Sequence, residues 1–355
     1  MRHARFITTA TAITVLALAG CSSPSDPVAG SPSAGTTEAG GTVRVLTHDS
    51  FSIPEETLAA FEAESGLDVE FVSTGDGGAL VNQLILTKDA PLADAVYGID
   101  NTFASRVVGE GVLADYSSQS PVTSSALYMS LPAAENLTAI DFSDVCLNVD
   151  LTYFEAQSLA APTSFDDLIK PEYANLTSVT NPATSSPGLA FLLATVAAYG
   201  DDWPTYWEAL RDNGLRVTGS WSDTYFVDFS APNYGGDRPI VLSYASSPPS
   251  EVIEGEPTTA ALLDTCFRQV EYAGVLAGAK NPQGAQLVID WMLSDDFQSQ
   301  LPYSMYVYPV SETATVPQEW LDYAPLAQTP WSVSSEQIDQ QREELVLTWT
   351  SLVLG

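Results

Sequence analysis

The sequence predicts an α/β fold built on a mostly parallel sheet. Three observations carry that expectation. Short apolar runs alternate with helical stretches along residues 41–355, as in repeated strand–helix units. Several of those runs end in small, polar or aromatic residues that lead into a helix start, as the carboxyl ends of strands do in open sheets. Residues 216–248, RVTGSWSDTYFVDFSAPNYGGDRPIVLSYASSP, hold two such ends close together. The body is long enough for two lobes, each with its own core.

In chain order, strands are expected at 42–47, 68–73, 93–98, 144–149, 176–180, 214–218, 239–244 and 267–272. Helices are expected at 54–65, 78–87, 102–109, 164–169, 187–199, 203–212, 282–293 and 335–351. Ser52-Ile53-Pro54-Glu55 predicts a capping box with proline in the first turn, and Gly66 a stop. No internal repeat is visible.

The first residues are not part of this fold. Met1-Arg2-His3-Ala4-Arg5 is basic, and Phe6 to Ala19 is apolar but short for a membrane span. Leu18-Ala19-Gly20-Cys21 resembles the bacterial lipoprotein box. Residues 1–21 are therefore expected to be a signal peptide, with Cys21 acylated as the mature N-terminus. Residues 22–40 are rich in Ser, Pro, Gly, Ala and Thr and carry no large apolar side chain. Such a segment cannot offset its ordering entropy and is expected to be a flexible tether.

The formal net charge of −33 comes from 12 Lys and Arg against 45 Asp and Glu. That repels nucleic acid and anionic membrane surfaces, so contact with a membrane is expected through the lipid alone. With Cys21 assigned to lipid, Cys146 and Cys266 remain, and an exported pair is expected to form a disulfide.

Beyond the signal segment the single histidine is His48. A Ser-His-Asp or Cys-His enzyme would need it as base, and no nucleophile elbow is present. Zinc sites need several His or Cys ligands, and there is no P-loop lysine or calcium loop. A glycosidase-like carboxylate pair stays open, with nothing to single one out. No enzyme activity and no cofactor are expected.

Two loops resemble cradles for oxygen-bearing ligands. Ser73-Thr74-Gly75-Asp76-Gly77-Gly78 follows a strand and opens a helix, and Ala183-Thr184-Ser185-Ser186-Pro187-Gly188 opens another. Free N–H groups at helix starts favour such ligands. Asp76 serves equally as a helix cap or as partner to a cationic group, and Asp100 as a cap or a ligand contact. Trp221 and Tyr244, at the two strand ends of the 216–248 stretch, suit a core or a pocket wall. Two aromatics at successive strand ends among serines favour the wall.

Several stretches, in order, resemble the thiamine-binding proteins of bacterial ABC transporters. They are Thr47-His48-Asp49-Ser50-Phe51, Gly75-Asp76-Gly77, Tyr97-Gly98-Ile99-Asp100-Asn101, Thr184-Ser185-Ser186-Pro187-Gly188-Leu189, Trp221-Ser222-Asp223-Thr224-Tyr225, Leu242-Ser243-Tyr244-Ala245-Ser246-Ser247-Pro248 and Tyr308-Pro309-Val310. The resemblance implies a two-lobed type II periplasmic-binding-protein fold, with hinge strands and a ligand cleft between the lobes. Residues 41–145 and 267–325 would form one lobe and 146–266 the other, with the lobe of segment 326–355 unassigned. It implies a monomer that holds a small molecule, thiamine or a phosphorylated or precursor form, and passes it to an ABC permease outside the cytoplasm. The implied ligand residues are His48, Asp76, Gly77, Asp100, Ser185, Ser186, Trp221, Tyr225, Tyr244 and Tyr306. Cys146 and Cys266 would lie on the paired hinge strands.

The sequence departs from that family at several points. His48 stands where the family usually has Tyr, Ser250 where it has Tyr, and Tyr306 where it has Trp; the Trp near Pro54 is missing. Ferric-iron-binding proteins share the fold and use adjacent tyrosines. Here Val307 separates Tyr306 from Tyr308, and the two are expected to face opposite ways. An iron or other inorganic-ion carrier is the alternative reading.

Overall fold

The computed structural model describes residues 40–116, 118–120 and 136–355. The signal segment, Cys21 and all of the tether except Gly40 lie outside the described residues. The strands are β1 (Gly41–Thr47), β2 (Leu67–Ser73), β3 (Ala95–Asp100), β4 (Thr138–Asp150), β5 (Thr177–Thr180), β6 (Arg216–Thr218), β7 (Ile240–Tyr244), β8 (Val252–Ile253), β9 (Glu256–Pro257), β10 (Thr259–Ala261), β11 (Phe267–Val275) and β12 (Tyr308–Pro309). The helices of the first half of the chain are α1 (Glu55–Ser65), α2 (Gly77–Leu86), α3 (Ala104–Gly109), α4 (Leu151–Gln157), α5 (Phe165–Leu168) and α6 (Ser186–Tyr199). Those that follow are α7 (Trp203–Asp212), α8 (Pro282–Trp291), α9 (Asp295–Gln298), α10 (Leu301–Met305), α11 (Gln318–Tyr323) and α12 (Ser335–Val353).

One sheet runs in the order β2-β1-β3-β11-β4-β7-β5-β6, with β10 and β12 added on β4. Its two outer trios, β2-β1-β3 and β6-β5-β7, are parallel. The two central strands run antiparallel to their neighbours and to each other. The expected mostly parallel sheet is therefore a mixed one. Parallel order is confined to the trios, where helices make the crossovers; β4 and β11 instead carry the chain from one trio to the other. Each trio has its first strand in the middle and its third strand against a central antiparallel strand. The repetition is one of topology, which sequence comparison within the chain does not reveal.

β4 belongs to both halves. Its first part pairs with β11, and Val145 to Val149 pair with β7. All thirteen of its residues are buried. Cys146 on β4 and Cys266, just before β11, form the expected disulfide, with Cα atoms 4.3 Å apart. Beside it, Arg268 on β11 pairs with the fully buried Asp144 on β4. Asp144 also accepts from the Ala327 backbone at 2.8 Å, which ties the C-terminal segment to these strands.

Helix α6 is apolar almost all round and fully buried over its first ten residues, as a helix inside a core must be. Helix α12 packs on α3 in one half and on α7 in the other. Trp349 meets Trp207 edge to face at 5.4 Å, and the Arg342 guanidinium lies 5.7 Å over the Phe103 ring. Helix α1 ends on Gly66 in the left-handed region, as expected. The capping box is absent: Pro54 is the N-cap, and the Ser52 backbone N–H is directed at the Met305 sulfur instead.

Candidate functional site

The carboxyl ends of both trios point at one small cavity. Thr47 closes β1 and is followed by His48; Asp76 and Gly77 open α2 after β2. From the other half come Ser186 and Pro187 at the start of α6, Trp221 after β6 and Tyr244 at the end of β7. Ser50, Glu271, Met305 and Val307 complete the lining. The cavity holds about 20 Å³, room for about one water. The cleft is closed, and its walls bond to each other.

Asp76 makes most of that closure. One carboxylate oxygen accepts from its own helix at Gly77 N and from Ser186 N at 3.3 Å. The other accepts from Trp221 N at 2.9 Å. Both sequence readings thus meet in one residue, which caps α2 and also reaches two backbone N–H groups of the opposite half. Burial pushes its carboxyl above the usual range, and the bonds from Trp221, Ser185 and Gly77 oppose that shift. Gly77 permits the approach, since a Cβ there would lie 2.1 Å from Ser186 Oγ.

Trp221 is 5% exposed. Its ring stacks on Tyr225 at 5.1 Å, its indole N–H donates to Ser243 at 2.9 Å, and Tyr244 and Tyr306 flank it at 5.9 Å each. It is therefore both cavity wall and part of an aromatic cluster with Tyr225, Phe229 and Tyr234. Residues 223–228 wind as a π-helical turn, which brings Tyr225 beneath the indole. Tyr225 donates to the buried Glu251 at 3.1 Å and does not line the cavity.

Ser185 and Ser186 divide their roles. Ser185 caps α6 by accepting from Gly188 N and lies 3.0 Å from Thr180 Oγ1, and its hydroxyl also favours the charged form of Asp76 across the cleft. Ser186 Oγ is buried at the cavity with no hydrogen-bond partner among the described residues. Asp100 likewise serves locally, accepting from Thr102 and Phe103 N–H groups, and does not reach the cavity. Tyr306, in the left-handed region at φ 59°, ends α10 and presents its ring to Trp221. Tyr308 stacks on Phe142 and donates to the Trp320 carbonyl at 3.2 Å. The two tyrosines do diverge, but through this turn. On a regular strand, residues two apart share a face.

His48 is 6% exposed, and Gly98 makes room for it: a Cβ there, at φ +98°, would meet His48 Cδ2 at 2.3 Å. Nδ1 is 2.9 Å from Ser50 Oγ. Nε2 lies 3.7 Å from Glu271 Oε1, an ion-pair distance too long for a hydrogen bond. The sequence reading missed Glu271. The visible signal was a carboxylate, in FRQVEYAGV, within a run expected to be a buried strand. A second, open groove of about 570 Å³, lined by Phe165, Tyr199, Trp331 and polar neighbours, shares no residue with the site.

The profile of bacterial extracellular solute-binding proteins matches residues 90–336. The thiamine-binding periplasmic protein of Escherichia coli (strain K12) is 29% identical over 301 residues, covering 79% of this chain and 87% of its own. A solved periplasmic thiamin binding protein superposes with a TM-score of 0.76 at 26% identity, covering 88% of this chain and 96% of that one. A Bordetella ferric binding protein superposes with a TM-score of 0.60 at 19% identity, over 88% and 98%, a likeness of fold. The architecture is that of the two-lobed type II periplasmic binding proteins, with β4 and β11 as hinge strands. The chain belongs to the bacterial extracellular solute-binding proteins.

Proposed function

We propose that this protein is an extracytoplasmic lipoprotein that captures thiamine, or a phosphorylated or precursor form of it, and delivers it to an ABC permease. One observation carries the reading. Asp76, Gly77, Ser186, Trp221 and Tyr244, from both halves, converge on one cavity at the strand ends. Thiamine has a cationic thiazolium, a flat aminopyrimidine and an oxygen-bearing tail. Carboxylates and aromatic faces suit the first two, and the starts of α2 and α6 suit the third. His48, Asp76, Gly77, Ser186, Trp221 and Tyr244 would contact the ligand directly. Ser185, Asp100, Tyr225 and Tyr306 would shape and support the wall. The ligand would enter as the halves part, since the closed cavity takes only about one water.

In this reading the lobes divide at 145/146 and 266/267, the protein acts as a monomer through binding rather than catalysis, and Cys21 carries the lipid. Calorimetry tests it. Thiamine should bind with one-to-one stoichiometry, thiamine phosphates should rank beside it, and Fe(III) should give no saturable heat. Saturable Fe(III) binding without thiamine binding would favour the inorganic-ion reading, although Tyr306 and Tyr308 point to different surroundings. Turnover in an esterase and glycosidase screen would favour a hydrolase.

A further inference from the structure

Glu271 enters the cavity from the middle of a hinge strand rather than from a helix start. Its in-register neighbours are Asp100 on β3 and Asp141 on β4, so three carboxyl groups stand side by side across three adjacent strands. Like charges directly opposite one another destabilise a sheet. The ladder to β4 breaks right after Glu271, and the ladder to β3 one residue later. Irregularities of this kind gather beside functional sites.

The three acids differ in charge. Burial, with Glu271 opposite, pushes Asp141 well above the carboxylate range, and burial pushes Asp100 up to about 7. Burial alone would raise Glu271 too, but the facing His48 imidazole, together with hydrogen bonds from Asp141 and Tyr97, holds that carboxyl below its ordinary value. Burial alone would lower His48, but Glu271, with Asp76 and Asp49 beyond it, raises it. Of the three acids Glu271 is the one whose charged form is favoured, and His48, 3.7 Å away, is the basic group that faces it. His48 Nε2 has no hydrogen-bond partner among the described residues.

We propose that Glu271 selects a positively charged ligand and that His48 is the placeholder which that ligand replaces. As a monocation settles beside Glu271, the imidazolium releases one proton to solvent, and the net charge of the cavity is unchanged. This rests on reading the cavity as a site for a cationic solute. The groups that face the pair are Asp49 beside His48, Asp76 at the start of α2, Tyr97 and Asp100 from β3, Asp141 from β4 and Tyr244 from β7. None of these is basic. Tyr97 donates to Asp141 at 2.6 Å and lies 3.3 Å from Glu271, so its hydroxyl steadies the acids without supplying charge.

The test uses the untagged mature protein, in which His48 would be the single histidine, and thiamine as probe. The His48 ring resonances should titrate above the ordinary value of about 6.5 in wild type and fall back in Glu271→Gln. Calorimetry in two buffers of different ionisation enthalpy should show about one proton released per thiamine below the His48 midpoint. Affinity there should weaken by about tenfold per pH unit, the slope of a single linked proton. His48→Gln should abolish both the release and the slope. Glu271→Gln, melting near wild type, should lose at least tenfold in affinity at every pH. If that variant does not fold, His48→Gln carries the test alone. Proton-neutral thiamine binding by wild type, or wild-type affinity in folded Glu271→Gln, would overturn the proposal. If thiamine fails to bind while the His48 titration behaves as expected, the thiamine reading falls, and the same calorimetry with other aromatic monocations decides. No proton release with any of them would overturn the proposal as well.

Discussion

Asp76 and Trp221, 145 residues apart, are joined by a 2.9 Å hydrogen bond from the Trp221 backbone N–H to the Asp76 carboxylate. The bond spans the cleft. With the Ser186 N–H on the other oxygen, it makes a single helix cap the latch of the closed form.

Asp76→Ala should therefore act twice. Losing the α2 cap should cost about 1 kcal/mol of stability. Losing the latch should widen the unliganded protein in small-angle X-ray scattering, and ligand affinity should fall at least tenfold. An unchanged scattering profile would show that the latch does not hold the closed form.

Trp221 should reveal its double role in the same way. A fully enclosed aromatic truncation costs about 3–5 kcal/mol. Trp221 has one face on the cavity, so Trp221→Ala should fall at or below the lower end of that range in a urea melt. Ligand affinity should drop by about 1–3 kcal/mol, the value for one aromatic stacking face. A large stability loss with affinity intact would assign the ring to the core alone.

The Cys146–Cys266 disulfide joins residues 120 apart in sequence. The loop-entropy relation gives about 4–5 kcal/mol for such a closure. The double Cys→Ala variant should lower the urea midpoint accordingly, and thiol titration of folded, unreduced protein should find neither cysteine reactive. Reactivity at either sulfur would contradict the bond.

Stability should fall as pH rises from about 5 to 8. Asp141 and Asp100 bind protons more tightly folded than unfolded, so raising the pH through this window ionises them against the fold. His48, also raised, contributes stability below its unfolded value and loses it as pH rises through its folded value. Asp141→Asn leaves an acceptor for the Tyr97 hydroxyl. It should flatten the slope and raise the melting temperature at pH 8. A steeper slope in the variant would refute this account of the acid row.

If Cys21 is acylated, protein from its native host should partition into detergent, and Cys21→Ala should release it. Partition of both forms into the aqueous phase would refute the anchor.

Much of the fold was legible because its elements obey simple periodicities. α7 has the expected bounds, and β1, β2 and β5 come within one residue of theirs. β4 was expected only from 144: Asp141 and Ser143 break the apolar pattern ahead of it, and Asp144 opens the expected run. Those residues are buried through Tyr97, Ser246 and Arg268, partners that local sequence does not name. Glu271 was missed for the same reason: its partner His48 lies on another strand end. The hairpin β8–β9 and β12 are two-residue strands, too short for any period to register. At the site, strand ends and helix starts pointed to Asp76, Ser186, Trp221 and Tyr244. They could not show that Asp100 bonds locally instead.

The placement of α12 has a mechanical consequence. A nineteen-residue helix is a stiff rod of roughly 28 Å, and this one touches both halves that the proposed function would have swing apart. A rod cannot stretch, so in such an opening it would ride with one and slide over the other. Its grip on α7 is the firmer, through fully buried Trp349 and the bond from Arg211 to the Leu352 carbonyl. Its hold near α3 includes a guanidinium resting on a ring, which tolerates sliding. The rod would travel with α7, and friction at Arg342 and Phe103 would set how freely the jaws part.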